Sequence, residues 1–533
     1  MIADINAEGP RLIHVDGVPV RAATGEPFDI VELRSLSLSD HELWIKLARS
    51  LRGQFAVIAI EAGSAVVITD LTGSYPVFIL SKPDGTPRKL STSLHELEGD
   101  SKRSIRRSAL FQYVAFGSMD LNQETIYTDV SRAAAGAVSF YSVTSGGSKQ
   151  ERSHEYAQWR EMTEPAESDP DRAAGLLESL IRTYTDRCMS DLPAADPLGI
   201  LLSGGTDSTL LAALLRNPFA TQGRLRCFTQ HFRWERYSEL AQAKLNAQAL
   251  GIETEAVMLD RSKHYAAVLA LNSRLQDQPC ITTQAFNLWS LIQSISSPCR
   301  AFMLGEHADS LFLGFGHFFH GLPSEPDAYQ VATEAIPPKE RLAWVAPRFI
   351  LDDNDRELLS ALELPERDYC EWFESFAQSR IARLAPFSDL SLSSLQQLSG
   401  QIDGGLNWQR IMLPVLRSTE GIRLLTPFFD SAVVSLALSL TVSLKYPDGK
   451  TKFLLRRMLE KQIGRILMKK PAAASPVAIW RILPPRGERL QITPSLRPYY
   501  DRLSRRNTLS FGRMANHHVK VASLGVWMNA RNL

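Results

Sequence analysis

The stretch ILLSGGTDSTLLAALL, residues 200–215, constrains this chain more than any other. An apolar run of strand character hands over, through Ser203-Gly204-Gly205, to a helix that opens on Asp207 and Ser208. In an open α/β sheet, ligands sit beyond the carboxyl ends of the strands. A strand ending in two glycines brings bare backbone amides to that edge, and the next helix turns its positive end toward it. Both favour an anion. Asp207 repels a bare phosphate, and makes sense if Mg²⁺ lies between them, since Mg²⁺ takes one or two carboxylates together with substrate phosphates. A tight turn before a helix with an acidic first turn is the alternative reading of a lone SGG. The Walker phosphate loop is excluded: "DGKT", 448–451, carries Gly-Lys-Thr, but the glycine required upstream falls on Leu444.

The surrounding pattern supplies the sheet. Strand 197–203, a helix from about 207, strand 224–232, helix 238–250 stopped by Gly251, strand 254–258, helix 282–296 and strand 300–304 alternate. Such alternation predicts βαβ units and a doubly wound parallel sheet covered on both faces. Beyond about 340 the chain reads mainly helical. Before 160 the texture differs: "RLIHVDGVPV", "GQFAVIAIEAGSAVVITD", "YPVFIL" and "GAVSFYSV" are short β-branched runs punctuated by glycine. The polar stretch 145–171 reads as a linker, and from 171 Leu176, Leu177, Leu180, Ile181 and Tyr184 mark one helix face. Two units follow, a sheet-rich α+β domain over 1–155 and an α/β domain over 171–533, consistent with 533 residues exceeding what one core accommodates.

Composition narrows the partners. A formal charge of +1 gives no global field toward nucleic acid or an acidic membrane. No apolar stretch approaches the roughly 20 residues of a membrane helix, and MIADINAEGP lacks the features of a signal peptide. Five scattered cysteines (Cys188, Cys227, Cys280, Cys299, Cys370) read as reduced thiols, so a cytoplasmic protein is expected. His307, His317 and His320 lack the carboxylate-plus-His spacing of a zinc helix. The basic stretch 502–513 reads as surface.

Ser203-Gly204-Gly205-Thr206-Asp207-Ser208 resembles the pyrophosphate loop of the ATP pyrophosphatases, and within them the chain is similar to the asparagine synthetase superfamily. "RYSELAQAKLNAQALGIE" (236–253), "DQP" (277–279), "LGEHADSLFLG" (304–314, against that family's SGEGADELFGG), "LLTPFFD" (424–430) and "KFLLRRML" (452–459) follow in the family's order. More weakly, "LRGQFAVIAIE…ITDLTGSYPVFIL" resembles the amidotransferase (Ntn-hydrolase-like) domain that precedes such synthetases. The resemblance spans roughly residues 40–475.

It implies an AMP-forming carbon–nitrogen ligase that uses ATP and Mg²⁺. Leu202, Ser203, Gly204, Gly205, Asp207, Ser208 and Gly305 would bind the nucleotide, and Asp207 and Asp309 the metal. Glu306 stands where the family places its amine-side residue, Glu in asparagine synthetases and Tyr in β-lactam synthetases. The family's catalytic lysine follows a KxxLR-type helix, which points to Lys470 or Lys469. Each residue also has a plain reading: Asp309 as a helix start, Glu306 as a solvated loop acid, the lysines as the end of a basic helix face.

Glutamine-hydrolysing members carry a cysteine after the initiator Met. Here Ile2 stands there, and no cysteine precedes Cys188, so a retained but disarmed amidotransferase-like domain is expected. That pattern resembles the β-lactam synthetases and the cyclases of lasso peptides, in which the substrate's own amine attacks an adenylated carboxylate. The lasso reading implies a precursor peptide as substrate, with a precursor peptidase and a leader-binding protein as partners. A β-lactam synthetase, an ammonia-dependent asparagine synthetase and a non-catalytic regulator binding ATP or peptide are the alternatives.

Overall fold

The computed structural model describes residues 1–5, 11–22, 26–98, 103–119, 123–143, 149–190, 192–220, 223–231, 239–258, 277–279, 284–295, 299–314, 336–347, 351–402, 410, 412–413, 422–447, 450–464, 490–505, 513–531 and 533. The N-terminal strands form two antiparallel sheets. One runs Ile2–Asp4, Pro87–Ser91, Phe78–Ser81, Val130–Arg132; the other runs Lys149–Glu155, Ala137–Val143, Ser64–Thr69, Phe55–Glu61, Leu12–Gly17. The run FAVIAI is buried on both faces because its alternate residues serve two cores. Phe55, Val57 and Ala59 meet Trp44 of the helix His41–Ser50, whereas Ala56, Ile58 and Ile60 pack with Ile79 and Leu90 of the other sheet.

The stretch read as a linker differs from that expectation. Lys149–Glu155 pairs along its length with Ala137–Val143, and Trp159–Thr163 is helical with Trp159 buried. Cross-strand pairing overrides a polar composition on an edge strand. The long helix Pro170–Met189 starts as its sequence dictates, with Asp169 capping two amides and Pro170 in the first turn. Its buried stripe is Ala173, Leu177, Ile181, Tyr184 and Cys188, leaving Leu176 49% exposed rather than on the core face.

The second half carries a parallel sheet of five strands: β1 (Leu198–Leu201), β2 (Leu225–His231), β3 (Thr254–Met258), β4 (Ala301–Met303) and β5 (Arg423–Leu425). Their spatial order is β3-β2-β1-β4-β5, with Ile200 of β1 opposite both Cys227 and Met303. The helices that serve the site are α1 (Thr206–Leu215), α2 (Leu240–Leu250), α3 (Gln284–Ser294), α4 (Ala308–Leu311), α5 (Leu392–Gln401), α6 (Ser431–Ser439) and α7 (Phe453–Ile463). Helix α1 buries residues on all sides, including Leu210, Leu211, Leu214 and Leu215, because it is covered by both the sheet and α7. β5 lies in a region that reads as helical; three residues are too few for periodicity to reveal.

The halves are joined by buried polar contacts. Gln54 donates Nε2 to the Thr426 carbonyl at 2.8 Å and accepts from the Tyr184 hydroxyl at 3.0 Å. Asp277 of the DQP element accepts from the Leu94 amide (2.7 Å) and the Ser93 hydroxyl (3.1 Å), capping the short helix Leu94–Glu98 of the first half. The final helix, Arg513–Ala530, completes an N-terminal core: Val521, Leu524 and Trp527 cluster with Phe78, Leu94, Tyr113 and Val130. Among the described residues no helix is long and apolar enough to cross a membrane.

Candidate active site

The strand order reverses between β1 and β4, and such a switch point opens a crevice at the carboxyl edge of a parallel sheet. The two loops that leave these strands, 202–208 and 304–314, therefore face one another. Gly305 lets them touch: a Cβ there would lie 2.8 Å from the Cβ of Asp207.

The first loop is closed on itself. Leu202 is buried, its amide bonded to the Phe228 carbonyl at 2.8 Å. The Ser203 amide donates to Ser208 Oγ (3.1 Å), the two hydroxyls lie 3.0 Å apart, and the Gly205 amide donates to Ser203 Oγ (3.3 Å). Gly204 has φ +78°, and a Cβ on it would stand 2.8 Å from the Ala243 nitrogen, so α2 lies flush against it. Asn246 fixes that contact from α2. Its Nδ2, buried, donates to the Gly204 carbonyl (2.9 Å) and reaches Thr209 Oγ1 (3.0 Å). Sequence reasoning missed Asn246, which reads as a solvated residue of a mixed helix.

The second loop turns sharply at His307, whose φ is +76°. Its ring stacks on Phe429 (centroids 4.2 Å apart, planes 9° apart), and Nε2 lies 3.1 Å from Gln401 Oε1 at the end of α5. Burial drives the imidazole down to about 4, so it is neutral. This turn sets Glu306 on one side and Asp309, in α4, on the other.

A residue outside the expected set joins the two loops. Lys452, at the start of α7, places Nζ 2.5 Å from Asp207 Oδ2 and 2.6 Å from Asp309 Oδ1. Burial would lower this ammonium, but the two carboxylates outweigh it and hold it above its ordinary value. The same burial pushes Asp207 up, against the pull of Lys452. Glu306 is raised to about 7 by burial, with the charges of Asp309 and Asp207 adding to the effect. Lys452 is the first letter of the KxxLR pattern, which in sequence read as part of a helical core and gave no sign of the ion pairs.

Thus Ser203, Gly204, Gly205, Asp207, Ser208, Gly305, Glu306 and Asp309 converge on one recess. Lys469 and Lys470 lie outside the described residues, as do His317 and His320. The recess fits a cation and an anion together. Asp207 Oδ1 is buried without a hydrogen-bond partner, and so is Arg456 Nε, one turn along α7 from Lys452. Among the described residues no group of three or more His, Cys, Asp or Glu is placed to hold a metal. A pair of carboxylates suits an ion such as Mg²⁺, which draws its remaining ligands from water and substrate phosphates.

Residues 175–492 match the model of the family described as asparagine synthase. The chain belongs to the asparagine synthase family. Its membership makes it an ATP-dependent ligase that forms amide bonds. Among relatives, a Mycobacterium tuberculosis protein provisionally named a glutamine-hydrolysing asparagine synthetase is 24% identical over 471 residues, covering 82% of this chain and 69% of the relative. The Bacillus subtilis glutamine-hydrolysing asparagine synthetase 1 is 23% identical over 522 residues, covering 90% and 79%. An NMN synthetase of Francisella tularensis aligns over 49% of this asparagine synthase family chain and all of its own, at 17% identity and a TM-score of 0.19, too low to speak for a shared fold.

Proposed function

We propose that this ligase closes an amide bond within one substrate, joining the N-terminal amine of a precursor peptide to an Asp or Glu side chain, as lasso peptide cyclases do. A carboxylate resists an amine at neutral pH. In the proposed sequence the substrate carboxylate attacks the α-phosphorus of ATP, an acyl-adenylate forms and pyrophosphate leaves. The amine then attacks the acyl carbon, AMP leaves, and the amine's proton passes to Glu306.

The observation that carries the reading is the gathering of Glu306, Asp207, Asp309 and Lys452 in one recess at the switch point. A carboxyl group raised to about 7 is matched to taking a proton near neutrality. Mg²⁺ held by Asp207 and Asp309 would neutralise the departing charge. Lys452 and the unpaired Arg456 Nε offer positive charge to the same side. Lys469 and Lys470 remain candidates for the catalytic lysine. That the amine comes with the substrate is supported by the lack of cysteine among residues 1–187. A precursor peptidase and a leader-binding protein are the partners that the resemblance to lasso peptide cyclases implies. Glu306 also suits an ammonia-dependent asparagine synthetase, whereas a β-lactam synthetase would carry Tyr there.

The test is pyrophosphate release with Mg·ATP and a core peptide bearing an internal Asp or Glu, with mass analysis of the product. The expected product is the peptide minus one water, with AMP. Asparagine from aspartate and ammonia, with the peptide unchanged, would replace this reading by the small-molecule one. Asp207→Ala and Asp309→Ala are each expected to abolish pyrophosphate release. Near-normal release by either would remove it from the metal pair.

A further inference from the structure

Lys452 stands between two carboxylates that the proposed function assigns to a cation, and it is built to stand there. Its own backbone is in the left-handed region, φ +54°, and its amide is tied to the Phe312 carbonyl at 3.1 Å, just past α4. Gly314 clears the space. A Cβ at that position would lie 1.9 Å from Asp309 Oδ1 and 2.2 Å from Lys452 Cε, so any other residue would push the ammonium or the carboxylate away. The two short contacts, the strained backbone and the bare glycine all serve one arrangement: an ammonium bonded to both loops.

We propose that Lys452 is the internal counter-ion of the Asp207–Asp309 pair and makes cation binding there conditional on an anion. A dication on the same two oxygens would lie within a few ångströms of the ammonium, in a recess where charges are poorly screened. It must displace the lysine. A compact charge on a flexible four-carbon stem can swing aside, but it needs a new anionic partner to do so without being stranded in the interior. A polyphosphate supplies one. The free metal therefore binds weakly, and metal and nucleotide bind strongly together. Lys452 sets the order of binding and guards the pair against adventitious dications.

This inference rests on Asp207 and Asp309 being cation ligands, and its test separates the two claims. Mn²⁺ binding is titrated by electron paramagnetic resonance on the full chain, alone and with the non-hydrolysable α,β-methylene analogue of ATP. Lys452→Met, which keeps the stem and removes the charge, is expected to bind Mn²⁺ alone at least tenfold more tightly than the wild type. The analogue should raise wild-type Mn²⁺ affinity at least tenfold and that of Lys452→Met less than threefold. Lys452→Arg should follow the wild type, and Lys452→Gln, checked by thermal melting, covers the case in which Met disturbs the fold. Lys452→Met and Lys452→Gln binding Mn²⁺ no more tightly than wild type would overturn the counter-ion role while leaving the ligands in place. Absence of Mn²⁺ binding by the wild type even with the analogue would overturn the ligand assignment, and this inference with it.

Discussion

The two loops that meet at the switch point achieve similar sharpness by different means. In the first, 202–208, the one left-handed residue is Gly204, which adopts that conformation without strain. In the second, His307 and Leu313 are left-handed with side chains attached, and Lys452 beside them is a third; Ala62 and Glu363 are the other such non-glycine residues among those described. A side chain in that region costs about 1–2 kcal/mol. The difference teaches where shape alone is required and where the same position must also deliver a group. At its left-handed position the first loop needs only backbone, whereas His307 of the second loop and Lys452 beside it also deliver side chains there: a stacked imidazole and an ammonium.

Gly204→Ala should break the first loop most severely. It adds left-handed strain and drives a Cβ to 2.8 Å from a backbone nitrogen of α2. A loss of about 2–4 kcal/mol is expected in urea denaturation; an unchanged midpoint would mean that α2 does not press on the loop. Gly314→Ala meets flexible side-chain ends instead. Stability should fall by only about 1 kcal/mol, while pyrophosphate release falls by roughly a hundredfold. Equal damage to both would erase the contrast between a shape-giving and a space-giving glycine.

The pH dependence sharpens the second loop. Glu306 is raised from 4.5 to about 7 in the folded chain, so its protonated form favours folding. That contribution is fully present below pH 4.5 and is lost as pH rises through about 7. Urea midpoints of wild type and Glu306→Gln should converge in acid and separate toward pH 8, with the variant the more stable. Parallel curves would show that burial and the charges of Asp309 and Asp207 do not hold Glu306 as described. The smallest effect concerns His307. His307→Gly and His307→Ala both lose the stack on Phe429 and the bond to Gln401, but only Ala keeps the strain. Ala should therefore be the less stable by about 1 kcal/mol, and the reverse order would show that the turn is not strained.

Much of this arrangement is legible in the letters. Glycines and hydroxyls at fixed spacing after an apolar run mark the first loop, and GEHAD marks the second, because local backbone demands restrict residue type. What escaped was contributed from a distance. Lys452 reaches Asp207 across 245 positions of sequence, and nothing near it signals an ion pair. Asn246 looks solvated until α2 is placed on Gly204. Lys149–Glu155 is polar and becomes a strand only because Ala137–Val143 offers an edge. His307 reads as an ordinary loop residue, since its backbone angle follows from contacts with Phe429 and Gln401.

The helix Arg513–Ala530 packs into a core whose other members include Phe78, Leu94 and Tyr113. A ribosome makes those partners before the helix. At roughly 5–20 residues per second, the early apolar surface waits on the order of tens of seconds for its cover. That one core of the first half is thus completed only after the helix has been made, whereas the cores around Trp44 and around Ile58 need nothing from it. A chain stalled short of that helix would leave the ribosome with this surface bare, a substrate for chaperones and proteases rather than a smaller working protein.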